Sequence, residues 1–395
     1  MALVPLVGGA DSPYAPQPQD TLKPMLAIQW KKGPNLPQGF QDSGGGILHD
    51  TLVTVGGFCS GQTGVPGKAA TYPRGFLDKV WGLNLPSPET RWQDLSNFPG
   101  AARQGLFAIV VHEQLYCWGG FSYAPPYSYK DGYRLSWREG KWQWDRLPDL
   151  PWLACSSGIC AVGSKIYVVG GSDYDGAGEG RFYTETDRTG RVKRLGARLV
   201  TIDTKNLHAG WRELAPCPGT PRFTTAAAAV AGNLYLIGGA TGNDNSSGHY
   251  CTVVDNWRYD PAADSWQRLA DTPVASGNFP SGQIVAFNRY IVLVGGYQYS
   301  KVLGPDGSPK PPYGAVGKHY SNHEYCSDVF VYDVKRGEFG TGTPLPLNNN
   351  GPMTVVEGDR IHLIGGETGG ATIDGEPFGH HPDLYLVGTI RETNR

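Results

Sequence analysis

No stretch of this sequence approaches the roughly 18 consecutive apolar residues that a membrane-spanning helix needs. No block of lysine and arginine appears either. With 34 basic against 36 acidic residues and a net charge of −2, nothing here could track a phosphate backbone, so nucleic acid is not an expected partner. The seven cysteines (59, 117, 155, 160, 217, 251 and 326) are odd in number and lack CxxC spacing, so they read as free buried thiols of a reducing compartment. Residues 1–25 have neither the basic start nor the apolar centre of a signal peptide. That fits a cytoplasmic chain, and a periplasmic or secreted chain whose leader has been removed stays open. Helical patterning is nearly absent, and no glycine-rich loop precedes a helix, which excludes a dinucleotide site of the usual kind.

Glycine (56) and proline (31) are abundant, beside 39% hydrophobic and 11% aromatic residues. That mixture calls for short strands and many turns around a packed core, not disorder. A 395-residue chain would ordinarily form two or three domains. A repeat architecture escapes that limit, because each unit buries its own layer against its neighbours.

The repeats are plain to see. A double glycine closes an apolar run six times, in LVTVGG, LYCWGG, IYVVGG, LYLIGG, IVLVGG and IHLIGG, ending at Gly57, Gly120, Gly171, Gly239, Gly296 and Gly366. These pairs number the repeats one to six. An aromatic residue stands seven positions before a proline at Trp30/Pro37, Trp92/Pro99, Trp144/Pro151, Trp211/Pro218, Trp266/Pro273 and Phe339/Pro346. A third strand is entered by an aspartate in five repeats, at Asp78, Asp131, Asp255, Asp328 and Asp383. Paired glycines let backbone pass close to a neighbour and turn without a Cβ. The tryptophan is a large apolar wedge between units, and the proline ends its strand.

The double glycine with a downstream tryptophan resembles the kelch repeat, over residues 26 to about 390. The resemblance implies an all-β fold, a six-bladed kelch β-propeller. The first Trp–Pro pair precedes any double glycine, while the last double glycine is followed by DLYLVG (383–388) and by no tryptophan. Residues 26–37 are therefore expected to supply the outer strand of the last blade, leaving no open edge. The expected organisation is an N-terminal extension, 1–25, and a single propeller, 26–395.

Long segments after the double glycines (58–76, 121–130, 172–197, 240–253, 297–326 and 367–381) face tight turns such as His49-Asp50, Gly232-Asn233 and Gly358-Asp359. The functional surface belongs on the long-loop side. Four residues after each proline lie Gln41, Arg103, Cys155, Arg222, Gly277 and Asn350. Directly after each double glycine lie Phe58, Phe121, Ser172, Ala240, Tyr297 and Glu367. Both sets are expected to ring the channel mouth. Arginine can grip a carboxylate through two parallel hydrogen bonds, and flat aromatics suit a sugar ring. The loops add Tyr123, Tyr127, Tyr129, Glu179, Arg181, Glu185, His249, Tyr250, His319, His323, Glu324, His380 and His381. His319 and His323 have metal spacing only on a helix, and that segment has no helical face, so neither metal nor cofactor is expected.

Among kelch propellers, the chain resembles the bacterial sialic-acid mutarotases, compact six-bladed proteins that use an acidic residue and an arginine in a central pocket. The resemblance implies acid–base isomerisation of an acidic sugar, a small anionic ligand, with a protein partner left open. Register then assigns Glu367, Arg222 and Arg103 as catalytic residues, and Phe58, Phe121, Tyr297, Gln41, Asn350, His249 and His323 as substrate-binding ones. A polysaccharide lyase acting on uronates, with a tyrosine or histidine base, is a second reading. A non-enzymatic kelch module that binds peptides on the same face is a third.

Overall fold

The computed structural model describes residues 22–61, 72–87, 91–176, 182–184, 195–242, 251–273, 277, 280–297, 301–303, 309–310, 325–368, 371–373 and 376–393. Among them the regular structure is strand throughout, apart from short 3-10 turns at Leu195–Ala197 and Leu207–Ala209. Repeats one to four each form a four-stranded antiparallel sheet. The second is the most regular, with strands Gln104–Val111, Gln114–Phe121, Gly132–Arg138 and Lys141–Leu147. Eight further strands join into one sheet, in which Pro24–Lys32 lies between Glu338–Gly342 and Tyr385–Glu392, while the short strands that follow the double glycines form small sheets of their own. It pairs antiparallel with the latter over seven residues, Leu26↔Glu392 to Lys32↔Leu386, and touches the former only at Pro24↔Thr341 and Leu26↔Gly342.

The innermost strands meet in order around a channel, which gives a propeller-like arrangement. Gly44–Leu48 touches Gln104–Val111, which touches Gly158–Val162, then Ala226–Val230, Val285–Ala286 and Met353–Glu357; the last touches Gly44–Leu48 again. Apolar layers fill the space between neighbours. Phe107, Ile109 and Trp118 of repeat two, for example, pack on Ile159, Ile166 and Val168 of repeat three. Four of the five tryptophans of this register also hydrogen-bond backward, Trp211 being the exception among the described residues. Trp30 Nε1 donates to Thr343 O (3.3 Å), Trp92 Nε1 to Pro34 O (3.0 Å), Trp144 Nε1 to Ser96 O (3.4 Å) and Trp266 Nε1 to Ala215 O (2.8 Å).

The glycine pairs do what close approach requires. Gly365 has φ +62°, and a Cβ there would stand 2.3 Å from the carbonyl oxygen of Phe40. The second glycine's N–H then donates to the next repeat, as in Gly57→Arg103 O (2.8 Å), Gly120→Ala154 O (2.9 Å), Gly171→Arg222 O (2.9 Å), Gly296→Asn349 O (2.9 Å) and Gly366→Phe40 O (2.8 Å). On the opposite face, two-residue hairpins turn through positive φ at His49 and Asp50 and at His112 and Glu113. The expected Gly232-Asn233 turn falls one residue earlier, at Ala231 and Gly232, because Asn233 already opens the next strand.

Repeat five breaks the pattern. Its inner strand is reduced to Val285–Ala286, and Pro280–Gln283 crosses the channel instead. Ser281 Oγ accepts from Ile159 N (2.8 Å), Gly282 N donates to Ala227 O (2.9 Å), and Val356 N donates to Gln283 O (2.6 Å). A Cβ on Gly46 would meet Gln283 Oε1, and one on Gly282 would meet Ile109. A segment that touches repeats one, two, three, four and six lies on the axis. Pro280 cannot donate to a ladder and Gly282 takes φ +96°, so the sequence itself stops the strand here.

Candidate active site at the channel mouth

The mouth residues pair across the first two strands of each repeat. The bridges are Gln41↔Phe58, Gln104↔Phe121, Cys155↔Ser172, Phe223↔Ala240, Gly277↔Tyr297 and Asn350↔Glu367. Four of these match the expected register. In repeats two and four the paired residue is five positions after the proline, not four, so Gln104 and Phe223 take the places assigned to Arg103 and Arg222. One residue of slip sends a strand side chain to the other side. Both arginines are correspondingly turned away from the mouth and buried, at 1% and 0% exposure.

Their guanidinium groups are fully engaged there. Arg103 Nη1 and Nη2 donate to Asp131 Oδ1 (2.6 Å) and Oδ2 (3.0 Å), Nη1 also to Gly119 O (3.0 Å), and Nε to Ala101 O (2.8 Å). Arg222 repeats the scheme, with Nε on Thr220 O (2.9 Å), Nη1 on Gly238 O (3.3 Å) and on Asp255 O, and Nη2 on Asp255 Oδ2. Both tie a double glycine to the aspartate that enters the third strand. Asn349 does a smaller version of this work in repeat six, donating from Nδ2 to Gly365 O (2.9 Å).

The chemistry gathers instead around Glu367. Its carboxylate receives His380 Nε2 on Oε1 (2.8 Å), Asn350 Nδ2 on Oε2 (3.1 Å) and the Tyr325 hydroxyl. Its backbone N–H reaches Asn350 O (2.7 Å) and Asn349 Oδ1 (3.1 Å), which fixes where the side chain starts. His380 Nδ1 lies 3.0 Å from the Thr368 carbonyl, an acceptor only, so this nitrogen carries a proton. Nε2 faces a carboxylate and must donate as well, which makes the pair an imidazolium–carboxylate. Burial pushes the Glu367 pKa up, but the His380 hydrogen bond and charge, with Tyr325 and Asn350, outweigh it and the net shift is downward. The Glu367 hydrogen bond raises the His380 pKa against the opposing effect of burial.

His381 stacks on His380, with centroids 4.8 Å apart. One donor atom each of Glu367, His380 and His381 falls within 4.8 Å of the other two. The His381 Nδ1, however, accepts from Ser60 N (2.7 Å), so the proton of the neutral ring sits on Nε2. Burial lowers its pKa to about 4, which keeps the ring neutral. Nε2, buried without a hydrogen-bond partner among the described residues, then carries the proton, and of the two histidines it is His380 that donates to the Glu367 carboxylate.

The other half of the mouth is aromatic. Tyr123, 55% exposed, stands edge-on to Phe76 (4.8 Å) and within 6.4 Å of Phe58, Phe121 and Tyr174. Phe58 and Phe121 are themselves buried and support this wall; Tyr123 is the ring that solvent reaches. His381 joins the two halves by meeting Phe58 edge-on at 5.8 Å. Gln41, Asn350 and Tyr297 take part in the bridges named above, whereas His249 and His323, with Glu179, Glu185 and Arg181, lie outside the described residues. Sequence reasoning placed His380 and His381 on the long-loop face without giving either a role, and did not name Tyr325. The pair His380-His381, at the end of the same long loop that starts at Glu367, was the available signal.

Comparison with known proteins points one way. A family model described as N-acetylneuraminate epimerase matches residues 193–304. The resemblance is to the N-acetylneuraminate epimerases. The protein of that name from Yersinia enterocolitica is 29% identical over 185 residues, 44% of this chain and 47% of that one; the chain thus spans about half the length of this relative. An N-acetylneuraminate epimerase from Vibrio cholerae is 28% identical over 57% of this chain and 56% of its own. One from Haemophilus influenzae is 23% identical over 85% of this chain and 88% of its own. Among solved structures, that of YjhT superposes with a TM-score of 0.62 at 15% identity, covering 91% of this chain and 99% of that one, a likeness of fold.

Proposed function

We propose that this chain is a mutarotase- or epimerase-type isomerase acting on an acidic sugar of the N-acetylneuraminate kind at the long-loop mouth. The observation that carries the reading is the Glu367–His380 pair, a charged proton-transfer unit facing an aromatic wall across one opening. Moving a sugar between anomers needs only that a proton leave the anomeric hydroxyl while one reaches the ring oxygen, and a carboxylate within hydrogen-bond reach can take the first. Glu367 is assigned that role, with Asn350 and Tyr325 holding it in place. Tyr123 offers a flat face to the apolar side of the ring. With Arg103 and Arg222 committed to aspartates, the positive charge for the substrate carboxylate comes from His380 itself. The names borne by the similar proteins support the substrate class.

The scaffold is read as a single six-bladed kelch propeller over residues 26–395, closed by the N-terminal strand. Support comes from the cyclic order of the inner strands, from the pairing of Pro24–Lys32 with Tyr385–Glu392, and from the backward bonds Trp30→Thr343 and Trp92→Pro34. A lyase of the kind considered above would use a tyrosine or histidine as its base. Burial and the Glu367 charge raise the Tyr325 pKa, which keeps that hydroxyl protonated and disfavours the alternative.

The test is anomer exchange of N-acetylneuraminate followed by NMR. The protein should accelerate exchange, and Glu367→Gln should still bind the sugar while losing at least about 100-fold in rate, the usual scale of acid–base help. Absence of catalysed exchange by the unmodified protein would overturn the reading.

A further inference from the structure

One layer below the mouth ring, the channel is lined by a collar of residues in left-handed conformation. Asp42 (φ 53°), Gly105 (63°), Ser156 (52°), Thr224 (49°) and Gly351 (61°) each follow a mouth residue directly. Their backbones are linked head to tail: Asp42 N donates to Gly351 O (3.1 Å), Gly105 N to Asp42 O (2.9 Å), Ser156 N to Gly105 O (2.8 Å) and Thr224 N to Ser156 O (2.8 Å). For serine, and above all for β-branched threonine, this conformation costs about 1–3 kcal/mol, and such strain persists only where the surroundings hold it. The collar forms the wall of a narrow cavity of about 120 Å³, which Ser281 and Gln283 bound on the axis. Gln104 Oε1, Thr224 Oγ1 and Gln283 Oε1 are buried without a hydrogen-bond partner among the described residues.

Asp42 is the one ionisable side chain that the collar contributes among the described residues. Its backbone bonds to Gly351, the neighbour of Asn350, and Asn350 is the residue bonded to Glu367, so Asp42 and Glu367 stand on one seam, Asp42 one layer below Glu367. From this arrangement we infer that Asp42 is a second catalytic residue, the acid that delivers a proton to the sugar ring oxygen while Glu367 removes the one on the anomeric hydroxyl. The inference rests on the isomerase reading above. As the ring C–O bond breaks, the anomeric carbon becomes a carbonyl, one proton has gone to Glu367 and one has come from Asp42. Closure on the opposite face returns both protons, so no further reactant is consumed.

The titratable group that acts on Asp42 among the described residues is Glu367, which is itself bonded to His380. Repeats two, three and four present only glycine, serine and threonine at this level. Desolvation in the channel, then the negative charge of Glu367, push the Asp42 pKa up to about 7. With Glu367 shifted downward, the pair divides into one acid and one base over a shared pH range, the separation such chemistry needs.

The test compares NMR anomer exchange of N-acetylneuraminate from pH 5 to 9 in the unmodified protein, Asp42→Asn and Glu367→Gln. Asparagine keeps the shape and tolerates the left-handed backbone. The expected results are an exchange rate down by about 100-fold or more in Asp42→Asn, sugar affinity within a few-fold, and loss of the decline in rate above about pH 7. A ¹³C titration of the unmodified protein should show an aspartate carboxyl near pH 7 that moves down in Glu367→Gln. Asp42→Asn exchanging at the unmodified rate with the same pH profile, or no such carboxyl, overturns the assignment. An unmodified protein without catalysed exchange overturns the isomerase reading itself, while the ¹³C titration still reports on Asp42.

Discussion

The Arg103 guanidinium and the Asp131 carboxylate meet through two parallel hydrogen bonds, 2.6 and 3.0 Å long, with the arginine 1% exposed and its plane over the Tyr129 ring at 3.7 Å. Arg222 and Asp255, both at 0% side-chain exposure, repeat the pair two units on. Such a pair is demanding to assemble and expensive to break, because the partner left behind is a buried uncompensated charge.

Arg222→Ala is therefore expected to destabilise the protein by about 3–5 kcal/mol, the usual cost of orphaning one buried ion. Affinity for N-acetylneuraminate should be unchanged in the fraction that stays folded. Urea denaturation and a sugar titration of the same variant separate the two effects. A variant of normal stability and weakened binding would return Arg222 to the mouth.

Much of this architecture was legible in the sequence because it is repeated. The double glycines, the Trp–Pro spacing and the entering aspartates are backbone requirements, met in nearly every unit and so visible without any structure. The site was less legible for two physical reasons. Gln104 and Phe223 displace the arginines through one extra residue after Pro99 and Pro218, a change that leaves composition untouched and reverses which way a side chain points. The hydrogen-bond partners of Glu367 include Tyr325 and His380, at the far ends of two long loops whose return to the rim no periodicity announces. Glu367 itself could be singled out because it follows a double glycine directly. The breaking of repeat five was signalled only by Pro280 and Gly282, which mark an interruption without saying that the chain crosses the axis.

The Arg–Asp pairs also set the behaviour in acid. Burial alone would raise the pKa values of Asp131, Asp255 and Asp333, but Arg103, Arg222 and Arg289 outweigh it and hold all three below the ordinary carboxylate value. A carboxylate depressed in the folded state contributes stability that is complete above its unfolded pKa, about 3.9, and is lost as pH falls through the folded value. Stability measured by urea should thus be level in these terms above about pH 5 and fall steeply below about pH 4. In a protein carrying Asp131→Asn, already destabilised, that fall should be shallower. An unchanged slope would show that Asp131 does not contribute to it.

The N-terminal strand should be indispensable. It supplies seven paired residues to Tyr385–Glu392, and the Trp30 indole N–H donates to Thr343 O. A chain beginning at residue 38 would leave that strand as an open edge, which invites pairing with other molecules. Insoluble or oligomeric material is expected, whereas removal of residues 1–21 should leave a cooperative melting transition. A soluble, cooperatively folded monomer lacking Trp30 would contradict closure by this strand.

His380 offers the sharpest test of how the mouth sets its own protonation. Glu367 must be ionised to accept a proton, and it is held so by the His380 hydrogen bond and charge against the effect of burial. Replacing His380 with Asn removes the imidazolium, so burial is left less opposed and the Glu367 pKa moves up. The acid limb of the exchange rate, which marks protonation of Glu367, should then shift to higher pH, and the rate at neutral pH should fall. His380→Gln restores a donor without the charge and should shift the limb by a smaller amount. The measurement is the pH profile of N-acetylneuraminate anomer exchange in the three proteins. A lower rate with no movement of the acid limb would assign His380 to contacts with the sugar alone, and movement to lower pH would reverse the sign argued for its charge.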